Sequence, residues 1–458
     1  MPDALPPPDR LAVPAELGTG LTAYLRLLQH RPARSPFLAA MVARLPLSMA
    51  PLGILLLVQG ERGTYSLAGF VTGAYAVGSA LGTPLWGRSM DRFGQVRVLV
   101  PTAVVSASMV VALAVATLGT SPPALLVALA ALAGFAYPPM SPALRAAWRA
   151  VFPDRESRRV AFALDATSVE LVFVGGPLLL SLLLAVSPPV VPLVVTAAAM
   201  AGGSLAYCRT DAARRSGPLR VGPTAVPRTG GSTGSGTDVG PRSAVTATGV
   251  AAMLLVMLAL SVGFGQLDTS MAATAGTVLG STERVGLLFL AIAGGSTLGG
   301  LVYGTRSWSF DERRAVPVLL GVFAVMLAAM AALMTLPRVP LGVLFPLLVV
   351  TGAAIAPTLI MQQALLDHLA PVHRLNEAQA FLSAANTTGA AAGTAVAGVL
   401  IDYRGLGFSF GGAAVGVGLA VLVALLSQSQ WRRASAVRSA ADAAEAAEPA
   451  HAGCPGPG

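Results

Sequence analysis

The sequence predicts an all-α membrane protein: twelve transmembrane helices in two pseudo-symmetric six-helix bundles. Three observations predict it. Of 458 residues, 54% are hydrophobic and only 11% charged, whereas a soluble domain carries about 25% charged residues. Twelve apolar stretches are long enough to supply the roughly 20 residues that cross the hydrocarbon of a bilayer. Finally, Gly78-Ser79-Ala80-Leu81-Gly82, with Gly87 beyond it, returns 217 residues on as Gly295-Ser296-Thr297-Leu298-Gly299, with Gly304 beyond it.

The spans run approximately 37–58, 66–86, 98–118, 122–144, 159–184, 189–207, 247–272, 285–304, 315–335, 340–363, 377–401 and 406–427. Six fall in each half, in step with the repeat. At the same offset Ala161, Ala163 and Gly176 match Ala378, Ala380 and Gly393; one residue further on, Gly134 and Pro139 match Gly352 and Pro357. A period of nearly half the chain is no solenoid; it describes two homologous membrane halves in parallel orientation. Period-two alternation of polar and apolar residues is absent, which argues against a barrel. Around the bundles at 36–207 and 246–427 lie an N-terminal tail (1–35), a Gly/Ser/Thr/Pro/Arg-rich segment (208–245) and a C-terminal tail (428–458). The composition of the middle segment is that of a flexible loop. Residues 1–35 lack the apolar core of a signal peptide, so the first span is expected to act as an uncleaved insertion signal.

Every basic residue is arginine. Without lysine there is no Walker A motif, so Gly230-Gly231-Ser232-Thr233-Gly234-Ser235 is linker and not phosphate loop; Schiff-base chemistry is excluded as well. With both termini in the cytoplasm, Arg62, Arg284, Arg338 and Arg404 fall outside, Arg44 lies within the first span, and the remaining arginines fall inside. That asymmetry satisfies the positive-inside rule. It accounts for the formal charge of +9 through attraction to anionic lipid, with no nucleic-acid partner. Cys208 and Cys454 both lie on the inner side, where no structural disulfide is expected. The expected location is the inner (plasma) membrane, multi-pass, with both termini cytoplasmic.

Between the second and third spans stands Gly87-Arg88-Ser89-Met90-Asp91-Arg92-Phe93-Gly94-Gln95-Val96-Arg97. The glycines predict a tight turn held among headgroups, and Asp91 is placed to face a helix N-terminus, where the dipole favours an anion. This run resembles the G-x-x-x-D-R-x-G-x-x-R loop signature of the major facilitator superfamily. Joined to the twelve-span, two-half layout, the resemblance covers about 37–427. It implies that Gly87, Asp91, Arg92, Gly94 and Arg97 form a conformational loop motif, with Asp91 in a charge relay that braces the halves in the outward-open state. The second-half copy, Gly304-Thr305-Arg306-Ser307-Trp308, keeps the glycine and arginine but lacks the D-R-x-G core.

Polar residues within the spans are the candidate site. Counting inward from about residue 159 at ~1.5 Å per residue puts Glu170 roughly 17 Å deep, where ionisable side chains are costly and usually functional. Glu170 is therefore a candidate for proton coupling or substrate binding, or else a structural hydrogen bond to a neighbouring helix. Asp165 lies shallower and could also snorkel. Arg44, about a third of the way across from the cytoplasm, needs an anionic or carbonyl partner. Asp165 lies at comparable depth, so a structural pair is the favoured reading and a substrate contact the other. Gln266 and Asp268 form a polar patch toward the outer side of the seventh span, where Asp268 either pairs with a cationic substrate or marks the membrane boundary. Asn386 and Thr387 stand opposite Val169 and Glu170 under the pseudo-symmetry. Gln362 and Gln363, at the inner end of the tenth span, line a cavity or cap the helix. Tyr137-Pro138-Pro139 is expected to kink or unwind the fourth span. Gly176-Pro177 resembles part of the antiporter signature of drug exporters, and Gly175 and Gly176 also suit close helix packing.

The resemblance implies alternating access to a central cavity, and a lining drawn from these spans is mostly aliphatic. The function expected is proton-driven efflux of a lipophilic drug or secondary metabolite, antibiotics included, by an antiporter. Proton-coupled uptake of a small metabolite shares nearly every feature. A transport-dead sensor or scaffold, recruiting partners through its central loop or C-terminal tail, is the third reading. There is no metal cluster, no helical HExxH and no serine–histidine set at membrane depth, so no enzyme, cofactor or metal is expected. The expected partners are a small-molecule substrate, protons and the lipid bilayer, with the protein a monomer.

Overall fold

In hydrocarbon no water satisfies backbone N–H and C=O groups, so long apolar runs must close their own hydrogen bonds as helices. The computed structural model describes residues 21–152, 155–215, 249–305, 312–370 and 375–434. It holds α-helices and a single 3-10 turn, with no strand among the described residues. In chain order the helices are α1 (Leu21–Gln29), α2 (Arg31–Arg44), α3 (Pro46–Arg62), α4 (Tyr65–Phe93), α5 (Gln95–Leu118), α6 (Pro123–Phe135), α7 (Met140–Val151), α8 (Arg155–Val186) and α9 (Val191–Cys208). They continue with α10 (Asp211–Arg215), α11 (Val250–Thr277), α12 (Val285–Thr305), α13 (Glu312–Leu333), α14 (Leu341–Ala353), α15 (Ile355–Leu369), α16 (Leu375–Arg404) and α17 (Leu406–Leu426). Among the described residues, eleven helical stretches are long and apolar enough to cross a membrane. The 29-residue α4, more polar at its charged end, completes the twelve-helix fold.

Two compact units divide the described residues. One takes in those of Met1–Gly231 with Asp268–Leu290 and Thr394–Leu406; the other takes in those of Ser232–Leu267, Ala291–Gly393 and Gly407–Gly458. The ends of α11, α12 and α16 predicted to face outside thus belong to the first unit, although their helices begin or finish in the second.

Within each unit the sequence repeat becomes a packing rule. A Cβ at Gly78 or Gly82 of α4 would overlap the carbonyl oxygens of Ala131 and Phe135, and one at Gly134 of α6 would overlap that of Tyr75. In the second unit Gly295 and Gly299 of α12 meet the carbonyls of Val349 and Ala353 in the same way, and Gly352 of α14 meets that of Ile292. Each partner is the repeat-mate of its first-half counterpart. Without a hydrophobic drive between helices in lipid, backbones must approach closely to gain dispersion contacts, and only glycine permits it.

Proline breaks the fourth span as expected. α6 stops at Phe135 and α7 starts at Met140, and Met140 N–H donates to Pro138 O at 2.8 Å. The matching span breaks at Ala354, between α14 and α15.

Helix ends fall beyond the expected boundaries at four places. The helical stretch that carries the first candidate span begins at Arg31, ahead of 37, with α1 before it. Leu27 and Ala33 are fully buried beside Phe37, Trp148 and Phe152, so the burial of small and apolar residues there outweighs the prolines and charges that read as tail. Residues 87–93 are not loop but the last turns of α4; the turn is Gly94 alone, at φ 88°. Glycines and charges suggested a turn, yet past the hydrocarbon water and headgroups solvate those charges while the helix continues. The segment 208–245 opens with α10, whose Ala212 and Ala213 are buried; its remainder from 216 lies outside the described residues. The C-terminal segment continues helical through 434, with Trp431 fully buried and its indole N–H donating to Gly249 O at 3.1 Å.

Two of the four arginines placed outside are bound to backbone. Arg62 donates from Nε and Nη2 to Thr117 O (3.1 Å) and Ala116 O (3.0 Å) at the last turn of α5. Arg284 Nη1 donates to Leu279 O at 2.8 Å. A guanidinium on the orphan carbonyls of a helix C-terminus is favoured by the dipole, which gives Arg62 a partner at the end of α5.

Candidate functional site

The kink after Arg44, where α2 gives way to α3 at Leu45–Pro46, leaves the guanidinium buried against α8. Arg44 Nη1 donates to Asp165 Oδ1 at 2.6 Å and to Ser168 Oγ at 3.3 Å. Ser168 Oγ in turn donates to Asp165 O at 2.6 Å. Arg44 and Asp165 are each 1% exposed. Sequence depth alone suggested this pair. It did not suggest Arg145 of α7, whose Nε lies 3.3 Å from Asp165 Oδ2 while its side chain stays 59% exposed. Two arginines therefore share one carboxylate. Arg44 Nε and Nη2 have no partner among the described residues, and neither does the buried hydroxyl of Tyr75.

Glu170 differs. It lies five residues beyond Asp165 on α8, is exposed, and makes no hydrogen bond or ion pair among the described residues. Near it, Gly176 packs its Cα on Ser48, while Gly175 meets nothing. Ser48 Oγ donates to Val172 O at 2.9 Å, fastening α3 to α8.

In the second unit Ser261 Oγ of α11, fully buried, donates to Asn386 Oδ1 of α16 at 2.7 Å. Gly389 and Gly393 bring the two backbones together beside this bond. Thr387 Oγ1 donates to Ser383 O within its own helix at 3.0 Å. Gln362 is 1% exposed with both amide atoms unpartnered among the described residues, and Gln266, 2% exposed, leaves Oε1 unpartnered. Gln363 is exposed on α15, and Asp268, at the start of the first unit's share of α11, is exposed too.

The loop-motif residues stand at the far end of α4. Asp91, Arg92 and Arg97 are exposed, and Asp91 makes no hydrogen bond or ion pair among the described residues. Arg92 lies over the Phe93 ring, 5.2 Å from its centroid. Gln95, buried just beyond Gly94, is tied to Ala143 O (3.1 Å) and to the Tyr207 hydroxyl (3.0 Å), so the turn is fixed to α7 and α9.

Asp402, at the opposite end of α4, carries no local sequence signal of its role. Its carboxylate accepts the N–H groups of Tyr65 (3.0 Å) and Ser66 (2.7 Å), capping α4 from the last turn of α16. Thr64, the local N-cap, offers no side-chain bond. Gly398 and Gly69 allow α16 and α4 to touch backbone to backbone there. Ser181 of α8 donates to Glu283 O, and Gly286 of α12 sits on Pro177 and Ser181 at the same end. We expect Asp402→Ala to cost about 1 kcal/mol, the ordinary worth of an N-cap, read as a lower thermal-unfolding midpoint in detergent. Asp402→Asn keeps one acceptor and should lose less.

Solved structures share the fold at low identity. A bacterial homologue of the human lysosomal transporter Spinster, in an inward-facing and occupied conformation, matches with a TM-score of 0.60 at 15% identity, over 89% of this chain and 97% of that one. A peptide transporter in complex with sulfate matches with a TM-score of 0.63 at 15% identity, over 88% and 95%. The human organic anion transporter TETRAN matches with a TM-score of 0.56 at 18% identity, over 86% and 100%. No curated protein sequence is significantly similar. The family model described as Major Facilitator Superfamily matches residues 36–336, most of the chain, and with twelve helices in two repeated halves the protein belongs to the major facilitator superfamily of membrane transporters.

Proposed function

We propose that this transporter exchanges inward-moving protons for an outward-moving lipophilic drug or secondary metabolite, by alternating access, with Glu170 in the coupling path. The contrast between the two carboxylates of α8 carries the reading. Asp165 is neutralised by Arg44 and Arg145, whereas Glu170 stands within a membrane span with no countercharge among the described residues. An unpaired charge at that depth is costly and persists in proteins where it does work; taking up and releasing a proton is the work a lone carboxylate can do. The scarcity of charge in the spans fits a lipophilic cargo. Asp268, Gln266, Gln362, Gln363, Asn386 and Thr387 supply the polar groups that would orient it, while Gly87, Asp91, Arg92, Gly94 and Arg97 would serve the conformational cycle. The protein would work as a monomer in the plasma membrane with both termini inside.

The test is accumulation of lipophilic cationic dyes and antibiotics in an efflux-deficient bacterium. Wild type should lower accumulation, an uncoupler should abolish the effect, and Glu170→Gln should accumulate like the empty vector although it reaches the membrane in equal amount. Accumulation equal to the empty vector for wild type across the panel defeats broad export. Uptake or a sensor role then takes precedence, and deleting 216–240 and 435–458 separates those two: a transporter survives the deletion, a scaffold does not.

A further inference from the structure

A groove of about 320 Å³ runs between α13 and the end of α17 with the helical residues that follow it, in the second unit. Its chemistry is divided along its length. Arg314 and Arg432 line one end, and Val318, Val421 and Leu425 line the rest. Val318 follows Arg314 by four residues on α13, and Leu425 follows Val421 by four on α17, while Arg432 lies on the helical residues just past the turn at Ser427, so both sides are cationic at one end and aliphatic inward. Val318 is 65% and Leu425 54% exposed, as residues facing acyl chains would be.

The cationic end is built and held. Gln428 Nε2 donates to Arg313 O at 2.7 Å and to Ala424 O at 3.1 Å, bridging the two helices at the base of the groove. Burial of Trp431 and its bond to Gly249 O fix the backbone immediately before Arg432. Both arginines are exposed and make no hydrogen bond or ion pair among the described residues. Arg314 lies just after the segment joining α12 to α13, and Arg432 within the C-terminal segment that begins at 428, the two segments the arginine distribution assigns to the cytoplasm.

We infer that this groove is a binding site for an anionic phospholipid of the cytoplasmic leaflet. The phosphate would lie between Arg314 and Arg432, with an acyl chain along Val318, Val421 and Leu425. Charge complementarity selects an anion, and guanidinium groups suit phosphate oxygens in particular. The aliphatic wall selects an anion that carries a hydrocarbon tail over a soluble one. Basic pockets between spans on the cytoplasmic side bind lipid headgroups for this reason.

The full-length protein in detergent, titrated with dioleoyl-phosphatidylglycerol or dioleoyl-phosphatidylcholine and read by native mass spectrometry, tests the site. Wild type should retain one phosphatidylglycerol in preference to phosphatidylcholine. Arg314→Gln with Arg432→Gln should weaken that site roughly thirtyfold, from the typical worth of two surface arginines toward an anionic lipid. Val318→Trp, which fills the wall and leaves the charge unchanged, should displace the lipid as well. Arg338→Gln with Arg404→Gln, at the other end of the spans, should not. Each variant should unfold at the wild-type temperature in detergent alone, which separates lost binding from lost folding. Equal retention of the two lipids by wild type overturns the inference, as does unchanged retention in the double arginine variant. Sensitivity to the arginines but not to Val318→Trp, with competition by glycerol phosphate, also overturns it in favour of a soluble anion.

Discussion

Asp165→Leu should destabilise the protein by about 3–5 kcal/mol, because it leaves Arg44 buried with no anion. Arg44 is 1% exposed and already leaves Nε and Nη2 without partners among the described residues, so it has no route to solvent that would soften the loss. Arg44→Met should cost less. Asp165 keeps Arg145 at 3.3 Å, and a thioether fills the space of the arginine stem. Arg145→Gln should cost least, since an exposed partner exchanges protein for water and such pairs are worth about 0–1 kcal/mol. The predicted order is therefore Asp165→Leu, then Arg44→Met, then Arg145→Gln, measured by thermal unfolding in detergent.

The double variant Arg44→Met with Asp165→Leu decides what the pair is for. Replacing both members of a buried pair with apolar groups of similar volume is often neutral or stabilising, so it should recover most of the stability that Asp165→Leu loses. If the recovered protein still lowers dye accumulation, the pair is structural. If it folds, reaches the membrane and transports nothing, Arg44 or Asp165 contacts the cargo or its coupling proton. Recovery of folding keeps these outcomes apart from simple loss of protein.

How much of this was readable follows from what each feature depends on. The spans were legible because hydropathy over about 20 residues is set by bilayer thickness alone. Arg44 and Asp165 were legible as partners because depth along a helix can be counted. Arg145 was not: the break at Tyr137–Pro139 separates α6 from α7, so counting along the fourth span no longer gives its depth. Asp402 caps a helix 337 residues away in sequence, and no local pattern registers so distant a cap. The 87–93 stretch was misread because glycine and charge mark turns in water, while near a membrane surface they are equally compatible with a helix leaving the hydrocarbon. At the amino end, α1 and the start of α2 were missed because their buried positions, Leu27 and Ala33, are few and lie among prolines and charges.

The repeat allows the second large prediction. Gly134→Val should prevent α4 and α6 from packing, since even a Cβ at that position meets the Tyr75 carbonyl, and Gly352→Val should do the same to α12 and α14 at Ile292. Backbone oxygen cannot swing aside as a flexible side chain would, so the helices must separate along the whole contact that Gly78 and Gly82, or Gly295 and Gly299, also make. Overpacking costs about 1–3 kcal/mol where side chains can adjust, and more where they cannot; here the clash is with main chain. Both variants should lose most folded protein in fluorescence-detected gel filtration, and by similar amounts, because the two halves use repeat-mates. Gly202→Ala on α9, where a Cβ meets nothing, should fold like wild type or slightly better, since alanine is the stronger helix former. If Gly134→Val and Gly202→Ala behaved alike, close backbone approach would not be the reason the glycines recur at 217 residues. If Gly134→Val were severe and Gly352→Val mild, the two halves would share a sequence pattern without sharing its mechanical role.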